Sequence, residues 1–260
     1  MKLVSSWPQF LTIASFVLVT GCGGGGDASS SGETQAQSAS PGGIWQGTDG
    51  NGLQITGIVT ETGDAYFLDS NGTQYFGTVS TSGNNLTGSF TGYTEFGDTF
   101  TDGSTSGTGS LTGTVDARTS MSFSTTFTTA GGSTNQDNFA LQYNQIYAQS
   151  SSLSTVAGTY TDASTGNVLN IASDGSVSLQ VTSTGCAVTG DATIINSQYN
   201  AYSVQFTYSG CQGGYSALNG VQFNGLATLN TSVSPEQLIV GADAKTSTGG
   251  ISLINTFNRN

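Results

Sequence analysis

The sequence predicts an all-β protein made of two tandem domains, each a barrel-like meander of eight antiparallel strands. Short runs alternate apolar and polar side chains, as over residues 202–208 and 177–181, and a period of two indicates a strand with one buried face. Turn signals such as Ser70-Asn71-Gly72 and Ser173-Asp174-Gly175 separate the runs. Ser, Thr, Asn and Gly fill much of the remaining chain, and these residues disfavour helices.

The strands fall into two sets of eight, separated by a linker over residues 146–155 that carries the only helical signal. The linker divides the folded part into a first domain, residues 43–145, and a second domain, residues 156–260. The strands are predicted at residues 44–48, 53–60, 65–69, 74–80, 85–93, 110–117, 121–128 and 138–143, then at 156–160, 168–172, 177–182, 187–195, 202–209, 221–229, 237–242 and 251–255.

The two halves share landmarks in the same order, which indicates a tandem duplication. The matches are Gly43-x-Trp45 with Gly158-x-Tyr160, Leu53-x-Ile55 with Leu169-x-Ile171, Gly113 with Gly225, and Leu141 with Leu253. Sequential hairpins most simply close into barrels because closure removes exposed sheet edges. A single large β-sandwich and a β-solenoid are the alternatives.

The first 22 residues have the order of an export signal. Lys2 supplies a positive start, residues 10–19 are mostly apolar, and small residues precede Cys22. The apolar run is too short to span a membrane. The quartet Val19-Thr20-Gly21-Cys22 resembles the lipobox of bacterial lipoproteins. This resemblance implies cleavage of residues 1–21 and lipidation of Cys22, and Gly23 in place of Asp implies the outer membrane.

Residues 22–42 are predicted to be a flexible tether, because residues 23–42 hold no large apolar side chain. After cleavage, Arg118, Lys245 and Arg259 are the basic residues, against 16 acidic residues. Such a surface repels phosphate backbones, so nucleic acid is not an expected partner. The expected partners are the membrane, through the lipid anchor, and a protein or glycan of the cell envelope.

Cys186 and Cys211 are predicted to form a disulfide. The hairpin that joins residues 187–195 to 202–209 has its centre midway between the two cysteines. Facing positions of an antiparallel ladder lie within reach of a disulfide, and an exported protein meets an oxidising compartment. This pairing leaves Cys22 for the lipid.

Strict pairing about that midpoint places Val188 opposite Ser209, which puts an apolar side chain and a polar one on the same face. A one-residue bulge at Gly185 or Gly210 is therefore expected, because it restores matching faces.

The chain contains no histidine, which excludes Ser-His-Asp and Cys-His catalysis and the common zinc sites. Most carboxylates lie in turns such as Asp49-Gly50, where an aspartate accepts backbone N–H groups. A glycosidase-like carboxylate pair and calcium at Asp49/Asn51 or Asp98/Asp102 are the alternatives. The sequence predicts a protein that is not an enzyme and uses no metal or cofactor.

Aromatic residues of the first domain form the candidate binding surface. Adjacent pairs such as Tyr66-Phe67 must send one ring to each face of a strand. The loop over residues 94–108 is the longest insertion and shows no counterpart in the second half. Long loops that differ between duplicated domains are where their functions usually diverge. Cross-strand pairs that shield the sheet are the alternative interpretation. The candidate binding residues are Trp45, Tyr66, Tyr75, Tyr93, Phe96 and Phe100.

Three functions fit this sequence. The first is a non-enzymatic outer-membrane lipoprotein that binds a cell-envelope component through the aromatic face and loop. The second is an inhibitor or immunity lipoprotein against a periplasmic hydrolase or toxin. The third is a calycin-type carrier of a small ligand inside the barrel, and Gly43-Ile44-Trp45 resembles the Gly-x-Trp opening of lipocalin-like and avidin-like barrels.

Overall fold

The computed structural model of the protein describes residues 38–246 and 249–260. Over these residues the chain forms two closed barrels, each of eight antiparallel strands that pair in sequence order. The prediction of two eight-stranded meanders is confirmed, and the single sandwich and the solenoid are excluded. None of the helices among the described residues is long and apolar enough to cross a membrane.

Barrel 1 closes when its first strand pairs with its last, with Gly47 opposite Leu141. The outer faces of its later strands are rows of exposed Ser and Thr, so the inward faces carry the apolar side chains. The strands are β1 (Gly43–Asp49), β2 (Gln54–Val59), β3 (Asp64–Asp69), β4 (Gln74–Ser82), β5 (Asn85–Tyr93), β6 (Ser106–Asp116), β7 (Ser120–Thr129) and β8 (Thr134–Asn144).

A 3₁₀ helix (Gln145–Ala148) and the short helix α1 (Leu153–Val156) lead into barrel 2, which closes by pairing its last strand with its first. A second 3₁₀ helix, Gly213–Leu218, lies between the fifth and sixth strands of this barrel. The strands are β9 (Gly158–Asp162), β10 (Val168–Ile171), β11 (Ser176–Val181), β12 (Cys186–Ile194), β13 (Tyr202–Ser209), β14 (Gln222–Asn230), β15 (Gln237–Thr246) and β16 (Gly249–Arg259).

The first strands of the two barrels close one end of each lumen in the same way. Trp45 is fully buried, and its Nε1 donates a hydrogen bond to the carbonyl of Pro41 at 3.0 Å. Tyr160 is also fully buried, and its hydroxyl donates to the carbonyl of Val156 at 2.6 Å. The sequence match between the Trp45 and Tyr160 segments is thus confirmed in position and in role.

Strand pairing also shows which other positions correspond. Gly63 and Gly175 occupy the same turn, with φ of 94° and 93°. The carbonyl of Gly63 accepts the N–H of Val79 in β4, and the carbonyl of Gly175 accepts the N–H of Ala192 in β12, both at 2.8 Å. Left-handed φ values of this kind favour glycine. The turn therefore fixes a common register for β2 to β4 and for β10 to β12.

Three of the sequence matches do not occupy corresponding positions. In the ladders, Leu141 corresponds to Phe257, because each faces the equivalent residue of the preceding strand, Met121 or Leu238. Gly113 likewise corresponds to Ala227. The residue that corresponds to Leu169 is Gly57, four residues after Leu53. Small insertions in the turns change the difference in residue number between corresponding positions from one strand to the next. A constant difference in residue number therefore does not identify the corresponding residues.

The folded part begins before the first strand. The Ala39 N–H donates to the carbonyl of Gly83 at 2.9 Å, and its carbonyl accepts from Thr81 Oγ1 at 2.7 Å. Ala39 also packs against the core of barrel 1. The last residues of the predicted tether therefore belong to barrel 1.

The predicted disulfide is present, and it joins Cys186 to Cys211 with a Cα–Cα distance of 4.1 Å. Strict pairing about the midpoint of the cysteines is wrong by one residue, because Val188 faces Tyr208 in the ladder. The glycines beside the cysteines, Gly185 and Gly210, both have left-handed φ values, 72° and 67°. In this register Val188 and Tyr208 share an apolar face without an extra residue in the ladder.

Candidate functional site

The lumen of barrel 2 is filled from end to end. One cluster of buried side chains around Tyr160 and Tyr202 occupies the end near α1. A second cluster, which includes the disulfide, Leu218 and Phe223, occupies the other end. The space left between them is about 50 Å³, which is too small for an organic ligand.

The lumen of barrel 1 is filled only over the half that contains Trp45. Fully buried residues such as Leu86, Met121 and Leu141 pack there. The other half holds a cavity of about 660 Å³, which lies within the range of about 300–1,000 Å³ typical of ligand pockets. Exposed residues at its rim, among them Asn51, open it to solvent.

Aromatic rings from neighbouring strands form the walls of this cavity. Phe90 and Phe127 stack with their ring centroids 6.0 Å apart, and the edge of Tyr75 meets both at 5.7 Å. Further along β7, Phe123 stacks on Phe139 of the neighbouring strand β8, with the centroids 4.8 Å apart. Rings that hold each other in this way present a rigid apolar surface.

Glycines on the inward face make room for these rings. A Cβ on Gly109 would lie 2.4 Å from the Phe90 ring, and a Cβ on Gly107 would lie 2.4 Å from the Phe127 ring. Because β6 alternates inward glycine with outward Ser and Thr, the rings lie flat across the strand instead of filling the lumen.

The corresponding positions of barrel 2 carry bulk. Strand pairing relates Gly92 to Tyr208, because their neighbours Phe90 and Phe206 face the equivalent glycines of β4 and β12. Gly109 is related to Phe223 in the same way. The difference between the cavity and the filled lumen thus traces to particular inward positions.

Carboxylates surround the mouth of the cavity. Asp69 is buried, with 5% of its surface exposed. Its Oδ1 accepts the N–H groups of Asn71 and Thr73 at 2.8 and 3.1 Å, and its Oδ2 accepts the Tyr75 hydroxyl at 3.3 Å. Burial raises the pKa of Asp69, while these hydrogen bonds act in the opposite direction.

Other acidic side chains share the rim. Asp137 Oδ1 accepts the N–H of Gly50 at 3.0 Å, and its Oδ2 accepts Asn51 Nδ2 at 2.8 Å. Asp49 Oδ1 accepts the N–H groups of Asn51 and Leu53 at 2.9 and 2.7 Å. The aspartates therefore hold the turns at the mouth, as the turn interpretation of the sequence predicts, and place their charge there.

The charge around the cavity has one sign. The acidic residues that line it are Asp49, Asp69, Glu95, Asp98 and Asp137, and none of the described lining residues is basic. Arg118, the basic residue of barrel 1, lies in the β6–β7 turn beside Tyr199 instead. A low-dielectric cleft with charges of one sign concentrates their field.

The loop between β5 and β6, residues 94–105, forms one side of the mouth. It folds back on itself, with the Phe100 N–H donating to the carbonyl of Ser104 at 2.8 Å. Its Phe100 ring packs on Phe127 with the centroids 5.4 Å apart. This contact extends the aromatic wall over the open end of the lumen.

The same loop is held from outside by barrel 2. The Ser252 N–H donates to the carbonyl of Thr94 at 3.2 Å, and the ring of Phe96 lies 5.6 Å from that of Tyr215. Tyr215 belongs to the loop over residues 210–221, which is the β13–β14 connection and has the same length as the β5–β6 loop. The expectation that the β5–β6 loop lacks a counterpart is wrong. The β13–β14 loop occupies the corresponding position, although the two loops show no sequence similarity.

The six candidate binding residues lie in three different environments. Tyr75 and Phe100 line the cavity, whereas Trp45 belongs to the closed end of barrel 1. The remaining side chains face barrel 2. Tyr66 approaches Asp243, Tyr93 lies against Gly250, and Phe96 meets Tyr215. The outward aromatic face of the first domain is therefore occupied by the second barrel over these contacts.

A half-buried carboxylate marks this contact between the barrels. The hydroxyl of Tyr66 makes a hydrogen bond with Asp243, whose Oδ1 has no partner within the described residues. Burial raises the pKa of Asp243 to about 6. Nearby, Gln74 of barrel 1 is 1% exposed and its amide lies against Gly241.

Several wall residues were not among the candidates: Phe67, Phe90, Phe123, Phe127 and Phe139. A signal for them exists in the sequence. On β7 one face carries Phe123 and Phe127, whereas the other face of β6 and β7 is Ser and Thr except for Asp116, so the face with the rings is the one suited to a lumen. The volume left between the rings depends on which residues meet across the barrel. The alternation of apolar and polar residues along a strand does not specify those contacts.

Cys22, the predicted lipidation site, and the predicted signal peptide lie outside the described residues. Neither a protein-family model nor a curated protein matches the chain.

Proposed function

We propose that this protein binds a small, largely apolar organic molecule in the lumen of barrel 1. The observation that carries the proposal is the cavity of about 660 Å³ in one barrel of a pair, when the other barrel leaves about 50 Å³. Of the three functions that fit the sequence, the ligand carrier gains most from this contrast, because an unfilled lumen costs the barrel packing free energy that a bound ligand would offset.

The aromatic surface as a protein-binding site loses support by comparison. Tyr66, Tyr93 and Phe96 already contact barrel 2. Tyr75 and Phe100 face the cavity, where a small molecule has access and a folded partner does not.

A neutral fluorescent probe, N-phenyl-1-naphthylamine, tests the proposal. Its emission should rise on addition of the protein and saturate at one probe per chain. Thr125 points into the cavity from β7, whereas its neighbour Thr126 is exposed on the outer face. Thr125→Trp should abolish the enhancement because the indole occupies the lumen, and Thr126→Trp, the matched control, should leave it unchanged.

Absence of enhancement in the unaltered protein would contradict the proposal. Equal enhancement with Thr125→Trp and Thr126→Trp would contradict it as well, because the probe would then bind elsewhere.

We further propose that binding takes place at a bacterial outer membrane, to which lipid on Cys22 anchors the chain. The support is the lipobox Val19-Thr20-Gly21-Cys22 and the pairing of Cys186 with Cys211, which leaves Cys22 without a disulfide partner. In cells fed labelled palmitate, the full chain should carry label in the membrane fraction. Cys22→Ala should lose both label and membrane association, and retention of both would refute the anchor.

A further inference from the structure

The walls and the mouth of the cavity in barrel 1 have different chemistry, and together they restrict the ligand. The walls are formed largely by aromatic and aliphatic side chains, with hydroxyl groups such as that of Thr125 between them, and the Tyr75 hydroxyl is already bonded to Asp69. The mouth carries carboxylates without a basic partner among the described lining residues. We infer that the ligand is an organic cation with an aromatic or apolar body, such as an aromatic amine or a quaternary ammonium compound; this inference rests on the proposed function.

The electrostatic part of the argument is a comparison of ligand charges. An anionic group at the mouth would approach Asp69 and Asp137 in a setting screened less than open solvent. A cationic group meets attraction from the same carboxylates. Fatty acids, phosphates and other anions are therefore disfavoured relative to cations of equal size.

The aromatic walls favour the same class. Ring faces attract ammonium groups within about 6 Å of the centroid. Phe90, Phe127 and Tyr75 present both faces and edges, with centroids 5.7–6.0 Å from one another. A cationic head near the mouth can contact carboxylates and rings at once, while the body of the ligand displaces water from the apolar floor formed by Ile55 and Leu111.

A metal ion fits these residues less well than an organic cation. Asp49, Asp69 and Asp137 each commit oxygens to the turns around the mouth. Within the described part of the chain, no group of three or more acidic or cysteine side chains is arranged to hold a metal. A hydrated metal ion would also leave the apolar walls without a function.

Competition against bound N-phenyl-1-naphthylamine tests the inference with three ligands of one shape. They are (1-naphthylmethyl)trimethylammonium, neutral 1-naphthalenemethanol and anionic 1-naphthylacetate. At low salt the cation should displace the probe at a concentration at least about tenfold lower than the anion. The difference should shrink at about 0.5 M salt because the field at the mouth is screened.

A matched pair of double variants locates the effect. Asp69→Asn with Asp137→Asn removes two charges from the mouth and keeps an oxygen for each turn. Asp116→Asn with Asp191→Asn removes two charges from exposed positions away from the cavity. The first pair should reduce the preference for the cation over the alcohol at least threefold, whereas the second pair should leave this preference as it is in the unaltered protein.

The outcomes separate this inference from the proposed function. If the three ligands compete equally, or if both double variants act alike, the assignment of a cationic ligand is wrong while the pocket stands. If the probe itself does not bind, the pocket fails as a binding site.

Discussion

The two barrels share a topology and differ in what fills them. In barrel 2 a second cluster of buried side chains, with the Cys186–Cys211 disulfide at its edge, closes the end of the lumen. In barrel 1 the same end is open and lined with rings and carboxylates. Under the proposed function, barrel 2 serves stability and barrel 1 gives up packing for a binding site.

The barrels are also mechanically linked. The loop at the mouth of barrel 1 contacts barrel 2 through Thr94 and Phe96. The filled barrel thus supports one wall of the hollow one, which gives the second domain a role in shaping the cavity.

The largest difference in the free energy of unfolding is expected when a phenylalanine ring is removed from the interior of each barrel. Phe223 is fully buried in barrel 2, whereas Phe127 is half-buried beside the cavity. Phe223→Ala should lower the free energy of unfolding by about 3–5 kcal/mol because it leaves a void in a filled core. Phe127→Ala should cost about 1–2 kcal/mol because its space joins an existing cavity. Urea denaturation followed by circular dichroism measures both, and equal losses would contradict the distinction between the barrels.

The disulfide should stabilise barrel 2 specifically. It closes a loop with a sequence separation of 25 residues, for which chain entropy predicts about 3 kcal/mol. Replacing both cysteines by Ala should lower the urea midpoint by a corresponding amount and leave N-phenyl-1-naphthylamine bound at low urea. Thiol labelling of the unfolded, unreduced protein should modify neither Cys186 nor Cys211. Labelling of both would contradict the bond.

The contact between the barrels should depend on pH. Burial raises the pKa of Asp243 from 3.8 to about 6, so the folded state holds this proton more tightly than the unfolded state. The contribution of Asp243 to stability therefore falls as pH rises from about 4 through about 6.

Asp243→Asn removes that dependence because the amide is neutral at every pH. Relative to the unaltered protein, the variant should gain on the order of 1 kcal/mol between pH 4 and pH 7, with part of the effect lost to solvent screening. Thermal unfolding at the two pH values measures the gain. Asp191→Asn, at an exposed site, is the control, and an equal gain there would indicate a general charge effect.

The smallest effect is expected from loosening the loop. Phe96→Ala removes the contact with Tyr215 and leaves the cavity walls untouched. Affinity for N-phenyl-1-naphthylamine should fall about twofold to fivefold because the loop loses order before the ligand binds. Phe100→Ala, which removes part of the wall itself, should weaken binding more than Phe96→Ala does. The reverse order would show that barrel 2 does not support the mouth.

Local chemistry made much of the fold predictable. Alternation and turn residues determine where strands start and stop, and the buried pair Trp45 and Tyr160 could be matched because both open a barrel. The disulfide followed from a hairpin midpoint, although the ladder is paired one residue away from strict pairing about that midpoint. The exact register depends on how the chain turns at each end of the hairpin, and sequence patterns do not specify it.

The site was less accessible to sequence reasoning. Tyr75 and Phe100 were identified because aromatic residues and long loops often bind ligands. Tyr66 and Tyr93 carry the same signal and serve the contact between the barrels instead. Which outward face meets the other barrel is a tertiary property, as is the volume that remains when Phe90 and Phe127 lie flat over glycines.

The central claim is that barrel 1 is hollow and binds a ligand while barrel 2 is filled. Methyl-resolved NMR during titration with N-phenyl-1-naphthylamine tests it most directly. The methyl signals of Ile55 and Leu111, which line the cavity, should shift and saturate together, while those of Leu169 and Leu179 in barrel 2 should stay in place. Shifts in barrel 2, or none in barrel 1, would contradict the claim.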